Sequence, residues 1–189
     1  MSGRRSRQRF RFWLFLVLIA GHYGQRLEAQ AAADEYQVKA AFILNFARFV
    51  EWPDDALPAS SPMMIAIVGD DPLVPAMESV LRGKVANGHL IQVHHRLWND
   101  DLTPYRIIFI STSEEAHLPQ VLGKLAQQSV LTVSDIERFS LRGGVIELVM
   151  VGNRVRFDIN REPAATARLR ISSRLFNVAR AIHEKAASR

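Results

Sequence analysis

Met63-Met64-Ile65-Ala66-Ile67-Val68-Gly69-Asp70-Asp71-Pro72 is the stretch on which the fold turns. Six apolar residues in a row, without alternation, read as a strand buried on both faces, the kind found in parallel sheets. Gly69 to Pro72 then turns the chain into a helix that takes Pro at its first position, where a missing N–H costs nothing. That helix is expected over Leu73 to Leu81, with Val74, Met77, Val80 and Leu81 inward, and Arg82-Gly83-Lys84 ends it.

The same alternation of element types repeats downstream. Lys84-Val85 and Leu90 to His94 flank Asn87-Gly88 and predict a short hairpin. Tyr105 to Ile110, apolar but for Arg106, is a second such strand, followed by a helix over Glu114 to Gln127 in which Ala116, Leu118, Val121, Leu122 and Leu125 recur at helical spacing. Val130 to Val133 is a third, with Ser134-Asp135 capping one helical turn that ends near Phe139. Parallel strands need helical crossovers, so the order predicts a three-layer α/β domain with a mostly parallel, Rossmann-like sheet. Gly143-Gly144 has no Gly-x-Gly-x-x-Gly context and opens a strand instead of a helix, so no dinucleotide fingerprint is present. Val145 to Val151 and Arg154 to Ile159 around Gly152-Asn153 predict an antiparallel C-terminal hairpin at the sheet edge. Asn160 is expected to cap a short helix through Ala167. A break near Leu169 to Ile171 then precedes a final helix, capped by Ser172 or Ser173, that buries Leu175, Phe176, Ala179 and Ile182.

Upstream lies Asp34 to Pro53, read as one helix with a capping-box start at Asp34 and Gln37 and a stop at Pro53. Val38, Ala41, Phe42, Asn45, Phe46 and Phe49 share one broad face with Asn45 buried in its middle, and the helix is expected to be covered on two sides, as a core or interface element. Ala40, Ile43, Ala47 and Val50 make the opposite side apolar too, and Lys39, Arg48 and Glu51 mark the water side. A loop rich in Pro, Ala, Ser and Asp follows from Asp54 to Pro62.

Residues 1–33 read as a secretory signal peptide. They hold a basic segment with Arg4, Arg5, Arg7, Arg9 and Arg11, an apolar run from Phe12 to Ala20, and a small-residue cleavage site near Ala29 to Ala33. The apolar run is shorter than the roughly 20 residues a membrane span needs. Arg4-Arg5 leaves both the general and the twin-arginine export routes open. The leader carries six arginines and Glu28, so its removal leaves 18 basic and 18 acidic residues, and the net charge of +5 on the full chain falls to zero. A nucleic-acid reading loses its support with that charge. Zero cysteines exclude disulfides, thiol catalysis and thiolate metal sites. The domain is expected over 34–185, with 186–189 as a disordered tail.

No catalytic constellation survives inspection. Asp70-Asp71 is read as turn and helix-start chemistry before Pro72, not as a Mg²⁺ site. His94 and His95 are adjacent, so in a strand they point to opposite faces and do not share one metal ion. Ser172-Ser173 lacks a nucleophile elbow and is read as a helix cap. Asn45 either ties the first helix to neighbouring backbone or lines a ligand or partner site. Trp52 is either a core lid or an interface anchor.

Four segments taken together resemble the YfiR/HmsC-like family of exported bacterial proteins. They are Lys39 to Pro53, Ile108 to Ser111, Val130 to Asp135, and Arg156 to Asn160 with Leu169 to Phe176. The resemblance spans about Glu35 to His183. It implies a periplasmic α/β protein that restrains an inner-membrane diguanylate cyclase, lowering cyclic di-GMP and biofilm formation, with no cofactor, no metal and no chemistry of its own. The partner is then the periplasmic portion of the cyclase, with homodimerisation left open and no membrane insertion after signal cleavage. Asn45, Phe49, Trp52, Arg174 and Phe176 are the candidate partner-binding residues. The alternative is a periplasmic receptor for a small ligand without cyclase control. Two positions depart from the family pattern. Tyr105 stands where members often carry cysteine, so redox control through a disulfide does not transfer, and Arg168 stands where the family tends to place Gly.

Overall fold

The computed structural model describes residues 34–70 and 73–184. The expected leader, the helix start at Pro72 and the tail lie outside the described residues. At the centre are three parallel strands, β2 (Met63–Val68), β5 (Ile107–Ile110) and β6 (Leu131–Ser134). Every residue of β5 and β6 is buried, because both faces of the sheet are covered.

Alternate side chains of these strands enter two separate cores. Ile65, Ile67, Ile107, Phe109, Leu131 and Val133 face one side. There they meet helix α1 (residues 34–49) and helix α2 (Leu73–Leu81), the latter through Met77 and Leu81. Ala66, Val68, Ile108 and Ile110 face the other side and pack on Leu118, Val121 and Leu125 of α3 (Leu118–Leu125). The expected third helix is split. Residues Thr112–His117 form a 3-10 helix and α3 begins only at Leu118, because Pro119 lacks an N–H and is tolerated only in a first helical turn.

On one flank β4 (His89–Arg96) runs parallel to β2 and forms the expected hairpin with β3 (Val85–Ala86). Asn87 and Gly88 both adopt positive φ, 50° and 86°, as a two-residue primed turn demands. On the other flank β7 (Ile146–Val151) continues the parallel run beside β6 and pairs antiparallel with β8 (Arg154–Asn160). The three-layer, mostly parallel α/β architecture with its antiparallel hairpin is thus the one the sequence predicts.

The edge is different. After α4 (Arg161–Thr166) and α5 (Ser173–Val178), residues Ala181–His183 form β10, parallel to β8 and outside it. The full order is β10-β8-β7-β6-β5-β2-β4-β3, so the hairpin is not the edge. Ile182, expected in a buried helix, is 41% exposed. The helix ends early because Ala179 turns to extended backbone and the Arg180 N–H takes the carbonyl of Phe157 at 2.8 Å, which starts the new strand. Arg180 also forks onto Asp158, a carboxylate only 2% exposed, and this pairing holds the guanidinium more firmly protonated than usual.

Two caps behave as the sequence reads: Asn160 accepts from the N–H of Glu162 at 3.0 Å, and Ser172 from that of Arg174 at 3.3 Å. Ser134-Asp135 does not. Ser134 closes β6 and donates to the Ile110 carbonyl at 2.6 Å, and the helical turn starts later, at Phe139–Arg142.

The face of α1 also corrects the expectation. Its buried residues are Lys39, Ala40, Ile43, Phe46 and Ala47, while Val38, Ala41 and Asn45 are exposed and Phe42 and Phe49 half-buried. Two apolar faces competed for the core. The chosen one places smaller side chains and Phe46 on the sheet, with Phe46 edge-on to Phe157 at 5.2 Å. Lys39 follows them inside because Asp135 waits there, Nζ to Oδ2 2.7 Å.

Candidate partner interface

The first place to look for a ligand in a doubly wound sheet is the crevice beyond the carboxyl ends of its parallel strands, where successive connections diverge. Here that is the junction after β2 and β5. The chain itself fills it. Gly69, at φ 96°, lies so close to the 3-10 helix that a Cβ on it would sit 2.5 Å from the side chains of Ser113 and Glu114. The Asp70 N–H donates to Ser113 Oγ at 3.1 Å, Ser111 Oγ to the Asp70 carbonyl at 3.3 Å, and His95 Nε2 lies 2.8 Å from the Gly69 carbonyl. His94 points to the opposite face of β4, edge-on to Tyr105 at 5.7 Å.

The outer side of α1 is the more open surface. A two-residue strand β1 (Val50–Glu51) continues α1 and pairs antiparallel with β9 (Arg170–Ile171). Next to it the Ser172 N–H donates to the Phe49 carbonyl at 2.9 Å. This short ladder brings the end of α1 against the start of α5. The backbone at Phe49 therefore lies against the backbone at Ser172, the cap of α5, 123 positions later in sequence. Asn45 and Arg174 are exposed; Phe49 and Phe176 are half-buried against the core beneath. Phe176 is covered from one side by the Arg161 guanidinium, 4.3 Å from its ring centroid, and Arg161 is in turn paired with Glu184 at 2.6 Å.

Trp52 is not part of this surface. It is 9% exposed and its indole N–H donates to the Arg106 carbonyl at 3.1 Å, which makes it a core residue, not an interface anchor. Val38 and Phe42, assigned to the core from sequence, join Asn45 and Phe49 on the outer stripe. The signal that separates the two faces is Lys39, whose buried position is understandable only once Asp135 is seen across the domain.

The break between α4 and β9 also shapes this surface. Arg168 adopts φ 57°, the left-handed conformation for which Gly is the usual choice, and so ends α4 sharply despite its side chain. Its guanidinium reaches Asp55 at 2.8 Å and Ser129 at 3.3 Å. The Arg168 partner holds the Asp55 carboxyl below its ordinary range.

Among the described residues, no helix is long and apolar enough to cross a membrane. No curated protein matches the chain. The model of the YfiR/HmsC-like family matches residues 36–180, which takes in α1 from Tyr36 onward, the central sheet except its edge strand β10, the β1–β9 ladder and α5. By a match over most of its length, covering every segment that builds the α1–α5 surface, this chain belongs to the YfiR/HmsC-like family.

Proposed function

We propose that the mature protein is a periplasmic regulator that binds an inner-membrane diguanylate cyclase and restrains it, lowering cyclic di-GMP and biofilm formation. Family membership carries the reading. The fold is compatible with it: the crevice where a doubly wound sheet would take a small ligand is filled by Ser113 and Glu114. What the domain offers to a partner is the α1–α5 surface, with half-buried aromatic residues surrounded by polar ones, the usual anatomy of an interface core and rim. Asn45, Phe49, Arg174 and Phe176 are the residues assigned to it. Export through a cleaved leader, with a mature start near Ala32 to Asp34, brings the domain to the periplasmic side of such a cyclase.

The test is deletion of the gene in a strain that retains its membrane diguanylate cyclases. The expected result is a rise in cyclic di-GMP and surface attachment, reversed by a plasmid copy, with the exported protein starting near Asp34 on N-terminal sequencing. Unchanged cyclic di-GMP would overturn the proposal and favour the receptor reading.

A further inference from the structure

Charge on the mature chain is not evenly spread. Residues 154–184 hold seven arginines and three acidic residues, whereas residues 34–153 hold nine basic and fifteen acidic residues. Asp158, one of the three acids in the basic part, is buried and consumed by Arg180. A net charge near zero therefore conceals a basic C-terminal fifth, and that segment supplies α5 and the β9 strand of the ladder beside α1.

The outer stripe of α1 has a second regularity. Val38, Phe42, Asn45 and Phe49 are spaced four, three and four apart, which is the core seam of a coiled coil. Val38 is 43% exposed and Asn45 is exposed, while the two phenylalanines are half-buried. Such a seam is complete only when a second helix packs on it. Among the described residues, no group hydrogen-bonds the Asn45 side chain, which agrees with a partner lying outside this domain. In the same heptad frame Arg48 falls at the position flanking the seam, where charge selects the partner. Arg174, in the first turn of α5, comes two residues after Ser172, whose N–H donates to the Phe49 carbonyl at 2.9 Å. Both arginines are exposed, and among the described residues neither has a carboxylate partner, while Arg161, Arg168, Arg170 and Arg180 each have one.

We infer that the α1 stripe is a docking seam for an acidic amphipathic helix, one with an apolar heptad core and Glu or Asp at the flanking positions that meet Arg48 and Arg174. The inference deepens the proposed function, since it gives the chemistry of the segment that the restrained cyclase would present.

The test uses the mature protein and two synthetic helices of about four heptads, both with Leu in the core positions, one with Glu and one with Lys at the flanking positions. The protein should bind the Glu helix at least tenfold more tightly than the Lys helix, with the difference shrinking as salt rises past the screening range. Arg48→Glu with Arg174→Glu should reverse the preference. Arg154→Glu with Arg156→Glu, exposed on the far face of β8, should leave it unchanged. Equal binding of the two helices, or of neither, overturns the inference. So does sedimentation as a dimer whose formation the Glu helix does not disturb. Capture from membranes separates this from the proposed function. If the wild-type protein and the double reversal retain a diguanylate cyclase equally, the seam is wrong and the function stands. If neither retains it while the Glu helix binds, the seam stands and the function falls.

Discussion

Lys39 Nζ lies 2.7 Å from Asp135 Oδ2, joining the first helix to the carboxyl end of β6 across 96 residues of sequence. The Lys39 side chain is 7% exposed and that of Asp135 19%, and among the described residues Asp135 Oδ1 has no hydrogen-bond partner. A buried charge that loses its counter-ion is strongly penalised, whereas replacing both partners by apolar groups removes the penalty. Lys39→Met should therefore cost about 3 kcal/mol in a denaturant titration, and Lys39→Met with Asp135→Leu should recover most of it. Recovery of less than half would mean that the pair contributes more than mutual neutralisation.

Trp52 should act through the fold. Trp52→Ala removes a core indole and leaves the Arg106 carbonyl unpaired, at a cost of about 3 to 5 kcal/mol. Trp52→Phe keeps most of the packing and loses mainly the hydrogen bond, at about 1 kcal/mol. Regulation in these variants should follow protein abundance, measured by immunoblot beside cyclic di-GMP. Full abundance with lost regulation would return Trp52 to the interface.

How far the sequence carries the fold depends on whether local pattern or distant contact decides each element. β2 and β5 are legible because an unbroken apolar run has only one soluble home, between two covered faces. The turn at Asn87-Gly88 and the caps at Asn160 and Ser172 are legible because each depends on its own neighbours. The buried face of α1 is not, since both of its sides are apolar and the choice rests on Asp135, far away in sequence. β10 is hidden for the same reason: Ala181 to His183 has no strand signature, and its pairing depends on Asp158 buried in β8. The candidate site was half-legible. The backbone of Phe49 does lie against the start of α5, but Trp52 is a core residue, and an indole beside a proline looks alike in a core and in an interface.

Asn45→Leu separates stability from recognition. The side chain is exposed and makes no hydrogen bond among the described residues, so unfolding free energy should change by no more than about 0.5 kcal/mol. Binding of the acidic helix should tighten while its selectivity for register falls, since a seam with Leu in place of Asn accepts more arrangements. A loss of 1 kcal/mol or more in stability would show that Asn45 is tied into the domain after all.

Arg180→Met tests the strand that the sequence hides. Asp158 is 2% exposed and faces Glu147 across the β7–β8 ladder, and Glu147 is itself buried, accepting from the Arg138 N–H and from Ser140. With the guanidinium gone, Asp158 is a buried carboxylate beside another, and β10 loses its anchor. The expected cost is about 3 kcal/mol, with faster amide exchange at Ala181 to His183 than elsewhere in the sheet. Asp158→Asn in the same background should restore part of the stability. Unchanged exchange in β10 would mean that its backbone pairing with β8 suffices.

Arg168→Gly sets backbone strain against an ion pair, and pH tells the two apart. A non-glycine residue at φ 57° is strained by about 1 kcal/mol, which Gly relieves, though Gly also gives the unfolded chain more freedom. The variant loses the pairing with Asp55, whose carboxyl is held below its ordinary range chiefly by the hydrogen bond from Arg168. A depressed carboxyl stabilises the fold at pH values above its unfolded pKa, and the contribution disappears as pH falls through the folded pKa. Wild type should therefore hold its best position relative to Arg168→Gly near neutral pH and lose ground below about pH 4, the usual carboxyl range. Paired melting curves at pH 7 and pH 3 check this. If the difference between the two proteins is the same at both values, the Asp55 pairing contributes nothing to stability and strain alone sets the effect of the substitution.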